Sequence, residues 1–299
     1  MYQIYLKEFL ERFDYPKESR PALENALDKI INNKRAYQKF LELIRCYENN
    51  MKCDFGKIRE GIKEVFSEAK VQEYVGNTIL VICLSKKLLQ YYLEAGYDEV
   101  FWYDTMYDLK WKIIECNEIH GVWGVVSQDW YDRFFMMERF RFGKLEFELD
   151  LFGRKYEKNS VSLDVNSPVL NVHIPRTGVK LDRESVLEAY SQASEFFKDK
   201  FGDNPIVFVC KSWLLFPRNK DVLSEQSNLY TFMSDYDIIE QGEYEDYSQV
   251  WRLFTAKYDG NVDHLPQNNS LRRAYADWIR KGEKTGWGFG VFVYTRFLY

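Results

Sequence analysis

Residues 169–210 read VLNVHIPRTGVKLDRESVLEAYSQASEFFKDKFGDNPIVFVC. Side chains of an extended chain alternate between two faces, and three apolar residues here share one face: Leu170, Val172 and Ile174. Asp182 is a favourable N-cap for the helix that follows, and Gly202 ends that helix. Ile206–Cys210 is a continuous apolar strand of the type that is buried on both faces. The order strand, helix, strand predicts a βαβ unit with a right-handed crossover.

The sequence before this unit shows the apolar period of 3.6 that is typical of helices, one after another. Residues 71–95 are apolar on more than one face, which predicts a central helix around which the others pack. A last helix is predicted over residues 127–139. These patterns indicate an all-helical N-terminal domain, with predicted limits of 1–125.

At Phe142 the apolar period changes from 3.6 to 2, which indicates a strand. Three acidic residues alternate there with apolar ones and predict a solvated strand face: Glu146, Glu148 and Asp150. Further strands are predicted at residues 236–240, 250–254 and 288–294, with helices at 227–233 and 270–281. We therefore expect an α+β chain whose second domain, residues 126–299, contains a mixed sheet.

Composition excludes several classes of protein. The formal net charge of -5 offers no basic face for nucleic acid. The longest apolar stretch, residues 79–84, is far shorter than the roughly 20 residues that cross a membrane. The five scattered cysteines lack CxxC spacing, so neither a disulfide framework nor a metal site is expected. With no secretory signal at its start, the chain is expected to be cytoplasmic.

His173 is the best placed of three histidines for acid–base chemistry, because it lies near the end of a predicted strand. Strand ends beside loops are where open α/β sheets usually bind ligands. The alternative is a histidine that only fixes the turn at Pro175. Glu148 is a further candidate for acid–base chemistry, since it shares a predicted strand face with other acids and paired carboxylates can serve in proton transfer. The alternative is a solvated strand face.

Cys210 ends the second strand of the βαβ unit and could form a nucleophile pair with His173 on the neighbouring strand. The alternative is a buried, inert thiol. The glycines of residues 282–290 could suggest a phosphate loop, yet they lead into a strand rather than a helix N-terminus. A helix cap, a turn and a final strand explain them better.

Five phrases of the second half resemble a bacterial family of acyltransferase-domain proteins, which have a helical N-acyltransferase N-terminal domain and a GNAT-like C-terminal domain. The phrases are RFRFGKLEFE from Arg139, LNVHIPRTGVKL from Leu170, SEFFKDKFGD from Ser194, CKSWLLFP from Cys210 and SNLYTFM from Ser227. In the N-terminal half only the helical character matches.

The resemblance implies transfer of an acyl group from acyl-CoA or acetyl-CoA, as a co-substrate, to an amine. It also implies contacts to this donor from the matched phrases, and we assign them to four residues: Arg176, Ser212, Trp213 and Asn228. The usual glycine loop of such folds is absent where it is expected. The nearest fit, residues 283–288, begins with an acid and runs into a strand.

Three functions stay open from the sequence. The first is an acyl-CoA-dependent N-acyltransferase in which His173 or a nearby carboxylate deprotonates the amine. The second is a non-catalytic GNAT-like protein that binds a small molecule or peptide. The third is a structural protein whose 22 tyrosines and 22 phenylalanines form cores and a homo-oligomer interface.

Overall fold

The chain forms two compact units, Met1–Phe140 and Arg141–Tyr299. The computed structural model describes residues 2–158 and 161–294. The boundary between these compact units lies after residue 140, later in the chain than the predicted domain boundary between residues 125 and 126. The domain limits therefore stay a prediction. The helical first half and the mixed sheet of the second half confirm the predicted α+β class.

The first unit is built from long helices, as predicted. Their bounds are α1 Tyr2–Arg12, α2 Arg20–Asn32, α3 Lys34–Asn49, α4 Phe55–Ala69, α5 Glu73–Glu94 and α6 Glu99–His120. Residues 79–84 of α5 are all buried, so α5 is the central helix that its many-sided apolar pattern predicted. Asn33, Asp54 and Asp98 cap the starts of α3, α4 and α6 by accepting backbone N–H groups.

The single helix predicted over residues 127–139 is wrong. A 3-10 turn at Gln128–Tyr131 leads into a four-residue helix, α7, at Asp132–Phe135. Met137 then adopts the left-handed region with φ 53°, which stops the helix. The period of the apolar residues does not show this local break, because Phe134 and Phe135 are buried as helix residues would be.

From Arg139 onward the chain forms a six-stranded sheet and a two-stranded hairpin. The strands are β1 Arg139–Phe142, β2 Leu145–Leu151, β3 Tyr156–Lys158, β4 Val161–Leu163, β5 Pro168–His173, β6 Ile206–Ser212, β7 Asp237–Glu243 and β8 Gly286–Tyr294. The order in the large sheet is β1-β2-β5-β6-β8-β7. β5 and β6 run parallel and are joined through α8 at Arg183–Phe201, so the predicted βαβ unit is confirmed.

The two faces of the sheet have different covers. On the first face α8 packs on the sheet, with the Tyr190 ring 4.7 Å from that of Phe208. On the second face the β3–β4 segment supplies Phe152 and Leu163 to a core of strand valines: Val169, Val207, Val209 and Val291. The sequence did not predict this hairpin, because strands of three residues are too short to show a period.

The strand predicted at residues 250–254 is also wrong. The segment is a 3-10 turn followed by a short helix, α10, at Trp251–Phe254. Val250 and Phe254 are its buried residues and lie four apart, which is helical spacing. The other helices are α9 Asn228–Ser234 and α11 Ser270–Arg280, close to their predicted positions.

The glycines of β8 are required by close packing, as the interpretation as a strand implied. A Cβ on Gly288 would lie 2.1 Å from the backbone oxygen of Leu215, and one on Gly290 would lie 2.8 Å from the Cβ of Tyr236. Both residues therefore let neighbouring segments cross directly over the strand.

Candidate functional site

The parallel strands β5 and β6 separate at their carboxyl ends. Within the described residues they are joined by two residue pairs, Leu170 with Phe208 and Asn171 with Val209. β5 continues to His173 along β2, and β6 continues to Ser212 along β8. The facing edges of these two segments therefore have backbone N–H and C=O groups that the sheet does not pair, and such groups need partners.

His173 lies at this end of β5 and contacts Glu148. Its Nε2 is 3.2 Å from the Glu148 Oε2, and the His173 side chain keeps 20% of its surface exposed. The register sets Glu148 opposite Asn171, and His173 lies two residues beyond Asn171 on β5. The side chains of Glu148 and His173 therefore share the second face of the sheet. A carboxylate beside an imidazole orients the ring and stabilises its protonated form. The pair can therefore accept a proton from a substrate.

The predicted solvated face of β2 is wrong at Glu146 and Glu148. Their exposed fractions are 0% and 5%, and the register sets Glu146 directly opposite His173. Alternation in the sequence shows that polar residues share a face, yet it does not show whether that face is covered. Buried carboxylates are costly unless they are paired, so these acids are better candidates for a site than for solubility.

Cys210 lies on the opposite face of the sheet from His173. Cys210 lies two residues after Phe208 and so shares the face that packs on α8. His173 lies two residues after Asn171 and so shares the other face. The Cys210–His173 pair that the sequence left open is therefore not formed. Burial raises the pKa of the Cys210 thiol to about 12, so the thiolate that a nucleophile requires is scarce.

Arg176 lies in the loop between β5 and α8, and a buried lysine pins that loop. The Lys144 Nζ donates to the backbone oxygen of Pro175 at 2.8 Å and to the Thr177 Oγ1 at 3.1 Å. Sequence reasoning missed Lys144, because nothing in its neighbours shows that a lysine after a turn is buried. Its contacts fix the segment that carries Arg176.

The start of α8 is capped by the chain itself. An Asp182 side-chain oxygen accepts the backbone N–H of Ser185 at 2.9 Å, and this bond lowers the pKa of Asp182. One amide that could hold an anion is thereby used.

The remaining predicted donor contacts follow β6. The Ser212 Oγ accepts the Leu214 N–H at 3.2 Å, and Trp213 packs edge-to-face on Tyr275 with ring centroids 6.1 Å apart. Asn228 is the first residue of α9. Ser212 and Trp213 thus have structural roles, and the binding roles of all four predicted residues stay predictions.

Trp213 also lines a small cavity at this end of the sheet. The cavity measures about 20 Å³, room for a water molecule and too little for an acyl chain. The Thr285 Oγ1 atom is buried there and has no hydrogen-bond partner among the residues that the structure describes.

The described residues can be compared with the requirements of a metal site and of a membrane-spanning helix. In residues 2–158 and 161–294, no three histidine, cysteine or acidic side chains group as metal ligands. Of the helices in the same ranges, none combines the length and the apolar character that crossing a membrane requires.

Solved acyltransferase structures share this fold. One, an acyltransferase in complex with decanoyl-CoA, is 17% identical, with a TM-score of 0.75 over 96% of this chain and 86% of that chain. A second holds decanoyl-CoA and teicoplanin, again at 17% identity, with a TM-score of 0.72 over 96% and 87%. A mutant acyltransferase with octanoyl-CoA, also at 17%, gives 0.74 over 97% and 87%. At this identity the likeness establishes the fold.

Family models match both units of the chain. No curated protein sequence matches it. The model described as the N-acyltransferase N-terminal domain matches residues 5–137, and the model described as the GNAT-like C-terminal domain matches residues 139–292. The chain therefore belongs to the family that combines an N-acyltransferase N-terminal domain with a GNAT-like C-terminal domain.

Proposed function

We propose that this protein is an acyl-CoA-dependent N-acyltransferase, which moves an acyl group from a coenzyme A thioester to an amine. The observation that carries the proposal is the separation of β5 and β6 beside the His173–Glu148 pair, in a chain of this family. The separated edges offer backbone groups to a bound thioester, and the pair offers a base within the same strands.

The reaction is a direct transfer between the two substrates. The amine nitrogen attacks the thioester carbonyl carbon, the C–N bond forms and the C–S bond breaks. His173 takes the proton that the nitrogen loses, and Glu148 stabilises the resulting imidazolium. Backbone N–H groups at the separated strands polarise the carbonyl oxygen. The leaving thiolate takes up a proton and departs as free coenzyme A.

A covalent intermediate on the protein is not part of this mechanism. Cys210, the predicted nucleophile, is buried on the other face of the sheet, and its pKa is raised. Direct transfer needs only that donor and acceptor are bound at the same time.

The donor's coenzyme A portion is assigned to the carboxyl ends of β5 and β6. Arg176, in the loop that Lys144 anchors, is the proposed phosphate contact. Ser212 at the end of β6, together with Trp213 and Asn228 beyond it, are the further proposed contacts. The similar solved structures hold decanoyl-CoA, octanoyl-CoA or coenzyme A. These ligands support a medium-chain donor here. We place the reaction in the cytoplasm, where acyl-CoA is made.

Two measurements on the purified protein test this function. Isothermal titration with decanoyl-CoA and acetyl-CoA should show saturable binding of at least one donor. A thiol-release assay should then show coenzyme A release that depends on added amines. Binding without release under any amine would favour the non-catalytic binding protein, and binding of neither donor would contradict the proposal.

A further inference from the structure

Lys211 and Trp287 form a cation–aromatic pair on the His173 face of the sheet. The Lys211 Nζ lies 3.8 Å from the centroid of the Trp287 ring. Lys211 is two residues beyond Val209, which pairs with Asn171, and His173 is two residues beyond Asn171. Because side chains alternate along strands, Lys211 and His173 point from the same face, on the two segments that separate.

The indole of Trp287 occupies space that a glycine on the next strand leaves open. Gly242 of β7 is the register partner of Trp287, and a Cβ on Gly242 would lie 2.9 Å from the indole Nε1 and Cε2. A side chain at position 242 would therefore displace the indole ring. The ring in turn gives the lysine ammonium a fixed neighbour that does not neutralise its charge.

The charge of Lys211 has no acidic partner in the part of the chain that the structure describes. Two other basic residues of the second unit, Lys158 and Arg183, do have acidic partners, Asp237 and Asp235. Lys211 is exposed, and no carboxylate among residues 2–158 and 161–294 lies within ion-pair distance of it. In a protein of net charge -5, this ammonium is left for an anion from outside the chain.

We propose that Lys211, held by Trp287, binds a carboxylate of the acceptor, so that the acceptor is an amine that also carries an acid, such as an amino acid or a peptide. The inference rests on the proposed N-acyltransferase function. The acceptor is favoured over the donor as the source of the anion because Lys211 shares the face of His173, the base that deprotonates the acceptor. The donor's phosphates are assigned to the loop of Arg176.

The test compares two product analogues that differ only in charge, N-octanoylglycine and N-octanoylglycinamide. Isothermal titration at low ionic strength should show the carboxylate bound about fivefold more tightly than the carboxamide by the wild-type protein. Lys211→Gln should remove this preference, and Lys211→Arg should retain it. Both variants should keep the melting temperature, because Lys211 is exposed.

Three outcomes would overturn the inference. They are equal affinity of the wild-type protein for the two analogues, binding of neither, and weaker decanoyl-CoA binding by Lys211→Gln with the preference unchanged. The last result would assign Lys211 to the donor. The thiol-release assay on the same samples reports separately on the function: a carboxylate preference without acyl transfer would refute the enzyme while the anion site stands.

Discussion

His173 and Glu148 are the residues on which the chemistry depends. Replacing His173 with Ala should lower kcat by about 10²–10⁴-fold, the usual contribution of a general base. Donor binding should persist, because the imidazole is not assigned to the donor. The thiol-release assay measures kcat of the variant, and isothermal titration measures its affinity for decanoyl-CoA.

His264→Ala is the matched control for this substitution. His264 is exposed in the 3-10 turn Val262–His264 and pairs with Asp259. Its loss should leave kcat within about twofold. A decrease of less than tenfold in His173→Ala would count against the assigned base.

Cys210 is expected to be dispensable for catalysis. Cys210→Ala should keep kcat within about twofold and lower the free energy of unfolding by about 1 kcal/mol, since a small buried group is removed. Activity and urea unfolding of the variant measure the two effects. Loss of more than tenfold in kcat with an unchanged fold would restore the thiol to the mechanism.

The sequence could identify His173 because the chain has only three histidines and this one stands at a strand end. It also supplied Glu148 as a candidate. It could not show that Glu146 and Glu148 are buried, or that Lys144 pins the loop of Arg176, because burial depends on contacts between distant segments. For Cys210 the sequence left two alternatives, a nucleophile paired with His173 and a buried, inert thiol. The inert thiol is favoured, because Cys210 lies on the face of β6 that packs on α8.

At the scale of single elements, Lys144 controls the loop between β5 and α8. Lys144→Met should raise the KM for the acyl-CoA donor several-fold with a smaller change in kcat, because the loop of Arg176 loses its two anchoring hydrogen bonds. Lys155→Met is the control, since Lys155 is exposed and lies 3.7 Å from Asp164. An unchanged donor KM in Lys144→Met would mean that this loop does not bind the donor.

The packing of β8 gives a second test at this scale. Gly288→Ala would place a methyl group 2.1 Å from the Leu215 backbone oxygen, so it should lower the free energy of unfolding by about 1–3 kcal/mol. Gly153→Ala is the matched control, because a Cβ there meets nothing within 4 Å. Urea unfolding measures the free energy of unfolding of both variants. Equal values for Gly288→Ala and Gly153→Ala would contradict the close packing of the Leu215 backbone on β8.

Long elements with clear ends were predictable, whereas short ones were not. Asp182 and Gly202 frame α8 as the sequence indicated. Residues 127–139 and 250–254 differ from prediction because turns of four or five residues are set by local backbone angles and packing rather than by period. The β3–β4 hairpin is fixed by contacts to distant strands, such as the bond from the Tyr156 hydroxyl to Asp237.

At the scale of the whole molecule, the buried tyrosines predict loss of stability in alkali. Tyr190 and Tyr236 share a buried hydrogen bond of 2.7 Å, and burial raises the pKa of both well above 10. Because the folded-state pKa is raised, the unfolded chain loses these protons first as the pH passes 10. Stability is therefore complete below the unfolded pKa and falls above it.

Each such phenol should cost about 0.8 kcal/mol of unfolding free energy between pH 8 and pH 10.5. Urea unfolding at the two pH values measures the total. Tyr190→Phe removes one such phenol, so the loss of unfolding free energy between the two pH values should be smaller by about 0.8 kcal/mol. A free energy of unfolding that is unchanged at pH 10.5 would contradict the assigned burial.

The α+β class and the resemblance to the acyltransferase family were predictable from the sequence and are confirmed by the fold and the family models. The phrases around β5, α8 and β6 carried that resemblance. The separation of β5 from β6 could not be read from the sequence, since Val172 and Cys210 look like any paired strand residues.

The most direct test of direct acyl transfer is a matrix of initial rates, with decanoyl-CoA and an active amine each varied at several fixed concentrations of the other. Reciprocal plots should show intersecting lines, because both substrates must be bound before the C–N bond forms. Parallel lines would show a covalent acyl-protein intermediate and contradict direct transfer.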